Sequence, residues 1–235
     1  MDKFSSISLF DFFSFLVPGF ILQAAIVFCW QLSGCTVSFH FSFITGNEAL
    51  AFVLLSIAAY LLGHCIHYAS SQFAWLGTSA LKKNINSYSL LNQEKYLAES
   101  LNKKSIEKFG FGFLDKEGNT AHKETDRFFE ISFRILENNG LLQTSRNLQV
   151  QYLMFVNAYT ALLASGIAGL ITVLVVIFRP SGPLAIKYLI IFSAIAALLA
   201  TAFLKIAAQR RKLFIKTIWW QFYSYYYHPL TSKSE

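Results

Sequence analysis

Residues 154–178 read MFVNAYTALLASGIAGLITVLVVIF, with no Asp, Glu, Lys or Arg among them. At ~1.5 Å per residue, a helix of this length crosses a hydrocarbon core of ~30 Å. Three further stretches, 15–32, 49–68 and 184–206, have the same character. Only Lys187 and Lys205, near the ends of the last, carry charge. The chain therefore reads as an all-α polytopic membrane protein. Four transmembrane helices form two hairpins, with a helical cytoplasmic insert between spans two and three. Hydrophobic residues make up 54% and charged residues 14%. Soluble domains average about 45–50% and about 25%, so an ordinary soluble fold is excluded.

Flanking charge sets the expected orientation. Residues 1–68 hold one Lys against three acidic residues, and the loop 33–48 has no Lys or Arg. The segment 69–151 holds eleven basic against nine acidic residues, and 205–235 six against one. The positive-inside rule then puts both termini and the insert in the cytoplasm. The basic excess after the last span points to anionic headgroups. The near-balanced insert argues against direct nucleic-acid binding. Three cysteines, Cys29, Cys35 and Cys65, are too few for a disulfide framework. Free thiols are expected, with Cys29–Cys35 as the one alternative pairing. Leu32-Ser33-Gly34-Cys35 has the outline of a lipoprotein cleavage box, but the apolar run before it is too long for a signal core. The first stretch is read as a retained span.

Four segments follow. Residues 1–68 comprise an interfacial helix at about 5–16, bending into the membrane at Pro18, and a transmembrane hairpin. Residues 69–151 are the helical insert, 152–206 the second hairpin, and 207–235 a basic-aromatic cytoplasmic tail. Residues 36–43 alternate polar and apolar, which suits a short strand or an aromatic interfacial loop equally. In the insert, Ser89 to Phe109 has helical spacing, and Gly110-Phe111-Gly112 breaks it. Asp115 to Asn119 reads as a turn. Thr125 is the expected N-cap of a second helix, which Asn138-Asn139-Gly140 stops. No breaker separates Thr144 from Pro180, so the third span begins as a cytoplasmic stalk. The fourth continues likewise to Tyr227.

Candidate functional residues fall into three groups. Asp11, Tyr60, His64 and His67 form a polar cluster at the cytoplasmic end of spans one and two. His64 and His67 share a helix face at i, i+3. They offer two ligands where a metal site needs three or four, so no metal is assigned, with His64, His67 and Asp11 the only set in question. Asn157, Thr160, Ser165, Gly169, Ser193 and Thr201 belong to small or polar stripes on spans three and four. Such stripes serve helix packing or line a pore. Arg210, Arg211, Lys212, Lys216, Trp219 and Trp220 read as headgroup-binding. No phosphate-binding glycine loop, nucleophile elbow or Cys-x-x-Cys occurs. The chain is therefore read as a non-enzyme without a cofactor.

The motif Phe10-Asp11-Phe12-Phe13 with Pro18-Gly19, the Tyr60 to His64 end of span two, the insert and the Arg210-Arg211-Lys212 exit resemble small four-span inner-membrane proteins of bacterial phage-defence loci. The membrane accessory proteins of type VI-B CRISPR systems are similar in outline. That resemblance implies an oligomeric, channel-like effector or accessory protein of the bacterial inner membrane, gated through its insert. Two alternatives stand beside it. One is a lipid-headgroup enzyme using Asp11, His64 and His67. The other is a scaffold recruiting a cytosolic protein through 69–151. The expected partners are membrane lipids and further copies of the chain.

Overall fold

The computed structural model describes residues 9–34, 48–84, 86–114, 116, 118–178 and 183–227; of residues 9–11, 72–84 and 183 only the backbone is described. Among these there are seven helices and no strand. They are α1 (Leu9–Leu32), α2 (Glu48–Asn84), α3 (Ser87–Asn92), α4 (Lys95–Phe109), α5 (Gly118–Asn138), α6 (Gln143–Ile177) and α7 (Pro183–Tyr227). Four of them, α1, α2, α6 and α7, are long and apolar enough to cross a membrane. The long reach of α6 and α7 agrees with the unbroken sequence from Thr144 and past Lys205. The alternating stretch 36–43, Cys35 and the Asp115 turn lie outside or partly outside the described residues. Cys29 and Cys65 are free thiols, the first buried and the second exposed.

The chain divides into two compact units: Met1–Leu76 with Val150–Ala207, and Gly77–Gln149 with Ala208–Glu235. The first is built on close helix contact. A Cβ on Gly19 would fall 1.6 Å from the Ala59 carbonyl oxygen, and one on Gly63 would fall 1.9 Å from that of Phe15. Only glycine at both positions lets the backbones of α1 and α2 touch. A Cβ on Gly169 of α6 would meet the Ser193 hydroxyl of α7 at 2.4 Å. Ala161, Ser165 and Gly169 are all buried, as the stripe predicts. On α7 the buried row is Ser193, Ala196 and Ala200. Thr201, read as part of a small-residue stripe, is exposed instead, as is Ala197 one turn before it. The helix repeat of ~3.6 residues, not four, carries the row onto Ala196 and Ala200.

α1 runs unbroken through Pro18. Residues 9–16 therefore share one helix with the first span, and residues 5–8 of the expected interfacial helix lie outside the described residues.

The second unit has an aromatic core. Phe113, Phe128, Trp219 and Phe222 are its largest fully buried members. Phe128 stacks on Phe113 (5.3 Å between centroids) and on Trp219 (5.6 Å), and meets Phe222 edge-on (5.4 Å). Two side chains set the loop after α4. Asn102 Oδ1 accepts the backbone N–H groups of Phe113 and Leu114, at 2.7 and 3.2 Å, and the Ser105 hydroxyl donates to the Phe111 carbonyl at 2.6 Å. Gly110, at φ +74°, caps α4 in the left-handed conformation. The expected single helix from Ser89 is two helices. Asn86 caps the first through the Ser89 N–H, and Gln93-Glu94 separates it from α4. Thr125 is not an N-cap. α5 begins seven residues earlier, and the buried Thr125 hydroxyl donates to the Ala121 carbonyl one turn back.

Candidate functional site

The polar centre of the first unit begins with a proline. Pro18 has no N–H, so the carbonyl of Ser14, four residues back in α1, loses its helical donor. In hydrocarbon an unpaired carbonyl costs several kcal/mol, and a neighbouring helix must supply a partner. Asn157 of α6 supplies it, its Nδ2 lying 3.3 Å from Ser14 O. Because the carbonyl only accepts, it fixes which end of the Asn157 amide faces α1. The other end, Oδ1, accepts from the Ser70 hydroxyl at 2.9 Å and from His67 Nδ1 at 3.2 Å. That bond puts the ring proton on Nδ1 of His67. The single Ser70 proton is shared between Asn157 Oδ1 and the His67 carbonyl, 2.8 Å away. Asn157 is fully buried, and Ser14 and Ser70 nearly so.

One amide thus ties α1, α2 and α6 together at the carbonyl that Pro18 leaves without its helical donor. His64 does not join this network. Its ring is exposed and stacks on Phe15, 4.1 Å between centroids, with Tyr60 edge-on at 4.6 Å. Tyr60, His64 and His67 all meet Phe15 of α1, at 6.0, 4.1 and 5.4 Å between centroids, and His67 alone of the three also joins the polar joint. Asp11's side chain lies outside the described residues. Among the described residues no three of His, Cys, Asp and Glu gather as a metal set.

The remaining stripe residues bond within their own helices. Thr160 donates to Val156 O, Ser165 to Ala161 O, Ser193 to Leu189 O and Thr201 to Leu198 O. Their hydroxyls are thereby satisfied without water, as hydrocarbon surroundings require.

In the second unit, one residue read as headgroup-binding has an inward role: Trp219 is 1% exposed in the aromatic core. Lys216 is part-exposed and pairs with Glu94 at 2.5 Å. A basic-aromatic helix has the same sequence pattern whether it lies on lipid or closes a core. Trp220 remains exposed, beside Tyr223. Nearby, Lys104 and Glu107 hold each other charged through one hydrogen bond, which raises the lysine's pKa and lowers the carboxyl's. Both are at the surface, where such a pair adds little stability.

Sequence reasoning missed Ser14, Ser70, Gly19 and Gly63. A signal existed for the first. A proline inside a span always frees the carbonyl four residues back, and Asn157 is the one side-chain amide in 154–178.

Four helices long and apolar enough to cross a membrane mark the chain as a multi-pass membrane protein, with a helical second unit. No protein-family model, curated protein or solved structure matches the chain.

The joint makes a sharp prediction. Asn157→Leu removes three hydrogen bonds, worth ~0.6 kcal/mol each between membrane helices, so about 2 kcal/mol is lost. Pro18→Ala restores an N–H for Ser14. In the Pro18→Ala background the cost of Asn157→Leu should fall by at least ~0.5 kcal/mol. Thermal unfolding of the four proteins in one detergent gives the cycle, and additive losses would show that Asn157 does not serve the proline.

Proposed function

We propose that the chain is an oligomeric, non-enzymatic effector or accessory protein of a bacterial inner membrane, channel-like in action. The observation that supports it is the joint at Pro18. A span whose Ser14 carbonyl takes its hydrogen bond from a side-chain amide of another helix has a bond that can be made and broken without unwinding either helix, the kind of element that gating uses. Spans so poor in acidic residues suit passive conduction better than proton-coupled transport. The antiviral setting comes from the architectural resemblance, and the orientation from the charge distribution, with both termini inside.

Flux from reconstituted vesicles tests the proposal. The wild-type protein is expected to release potassium, and Asn157→Leu to change the rate by about tenfold or more, the effect of ~1.4 kcal/mol on a gating equilibrium. Folded, oligomeric protein that releases nothing would overturn it. Reporter fusions test the orientation: a periplasm-dependent reporter should be active after Gly46 and silent after Gly118.

A second reading, a scaffold that recruits a cytosolic protein, draws support from the exposed Tyr96 and Trp220 rings that flank Tyr223 on the second unit. Tyr96→Ala and Trp220→Ala should then abolish recruitment while leaving vesicle flux unchanged.

A further inference from the structure

The first unit contains a cleft of about 380 Å³ between α1, α6 and α7. Ala25, Ser165 and Ala196 form its floor, all buried. Phe28 and Phe192, with ring centroids 4.9 Å apart, line it together. Ile195 and Leu199 stand exposed along it. The only polar atom of a lining side chain is the Ser165 hydroxyl, and it already donates to Ala161 O. A water needs two to four polar partners, which this cleft does not offer. Every lining residue belongs to a segment long and apolar enough to cross a membrane.

Size decides between the two apolar occupants a bilayer supplies. A packed helix is ~10 Å across and sits 8–10 Å from its neighbour's axis, roughly, so it covers a face and does not enter a slot. A dry cavity of ~150 Å³ takes one benzene, six carbons. By that ratio 380 Å³ holds about fifteen carbons, the scale of one acyl chain. The lining residues of α1, from Ile21 to Phe28, extend ~10 Å along the helix.

We propose that this cleft is a specific binding site for one acyl chain of a membrane phospholipid. The inference rests on the helices crossing a bilayer and is independent of the effector reading.

Two measurements test it in the full-length protein. First, purified protein is washed in detergent and its retained phospholipid counted by native mass spectrometry. Ala24→Phe fills the cleft from its exposed edge, and Ile171→Phe adds the same ring to an exposed position away from it. Ala24→Phe should retain about tenfold less phospholipid than wild type, and Ile171→Phe the same amount. Equal retention by both variants would overturn the site. Second, wild-type protein in phosphatidylglycerol–phosphatidylethanolamine vesicles is photolabelled by a phospholipid with a diazirine in its acyl chain. Labels should concentrate on 21–28 and 192–199. Labelling spread evenly over the exposed face of α6 would overturn the proposal, as would a disulfide-linked dimer formed by Ile195→Cys, which would mark a second copy as the occupant.

Discussion

Phe128→Ala is expected to remove about a third or more of the second unit's stability and to lower its melting temperature sharply. The ring is fully buried and contacts Phe113, Trp219 and Phe222 at once. Truncating such a side chain removes its transfer free energy and leaves a cavity, together ~3–5 kcal/mol. Aromatic pairing adds to the loss beyond buried area. A unit of this size has only ~5–15 kcal/mol in total. The readout is Trp219, whose emission should shift to the red and broaden as its packing is lost. Phe128→Leu, which keeps most of the volume, should recover more than half of the loss. A Phe128→Ala protein with an unchanged melting curve would mean that this cluster is not the core.

The second large effect concerns the α1–α2 contact. Gly63→Ala places a methyl carbon 1.9 Å from a backbone oxygen of Phe15, and Gly19→Ala places one 1.6 Å from that of Ala59. Neither neighbour is a flexible side chain that can turn away, so the helices must part. Over-packing costs ~1–3 kcal/mol in a core and more where backbone must move. Displacing α1 also lengthens the weak 3.3 Å bond from Asn157 to Ser14. Each glycine variant is therefore expected to lower the midpoint of thermal unfolding strongly, and the pair to abolish the folded form. Gly166→Ala is the internal control. Its Cβ would meet only ordinary contacts, at 3.6 and 3.7 Å, and the change should be neutral or stabilise by ~0.4–1 kcal/mol through the unfolded chain. Equal losses at Gly63 and Gly166 would refute the close approach.

What could be read from the chain was what depends on neighbours in sequence. Long charge-free runs gave the four helices, and the lack of breakers between Thr144 and Pro180 gave the reach of α6. Gly110 and Gly140, both left-handed, stand where the helices stop. What escaped depends on partners far along the chain. Periodicity placed Asn157 on a polar stripe but had no means of seeing Ser14, 143 residues away, or Ser70, 87 residues away. The grouping of His64 with His67 followed from their spacing. Both rings meet Phe15, His64 stacked at 4.1 Å and His67 edge-on at 5.4 Å, and only His67 goes on to reach Asn157. Thr125 shows the limit of capping signals. A Thr before a hydrophobic run satisfies the same pattern inside a helix, where its hydroxyl bonds one turn back.

α7 contributes residues of Pro183–Tyr227 to both units, and this has a consequence for how the protein is made. Ile215, Ile218, Trp219 and Phe222 complete the core around Phe128, yet the ribosome adds them only after the last span. The residues 77–149 leave the exit tunnel long before their closing strut exists, and they wait with a bare aromatic face. Biogenesis of the second unit is thus obligatorily late. A chain released before residue 208 inserts its spans yet leaves that face open to chaperones and proteases.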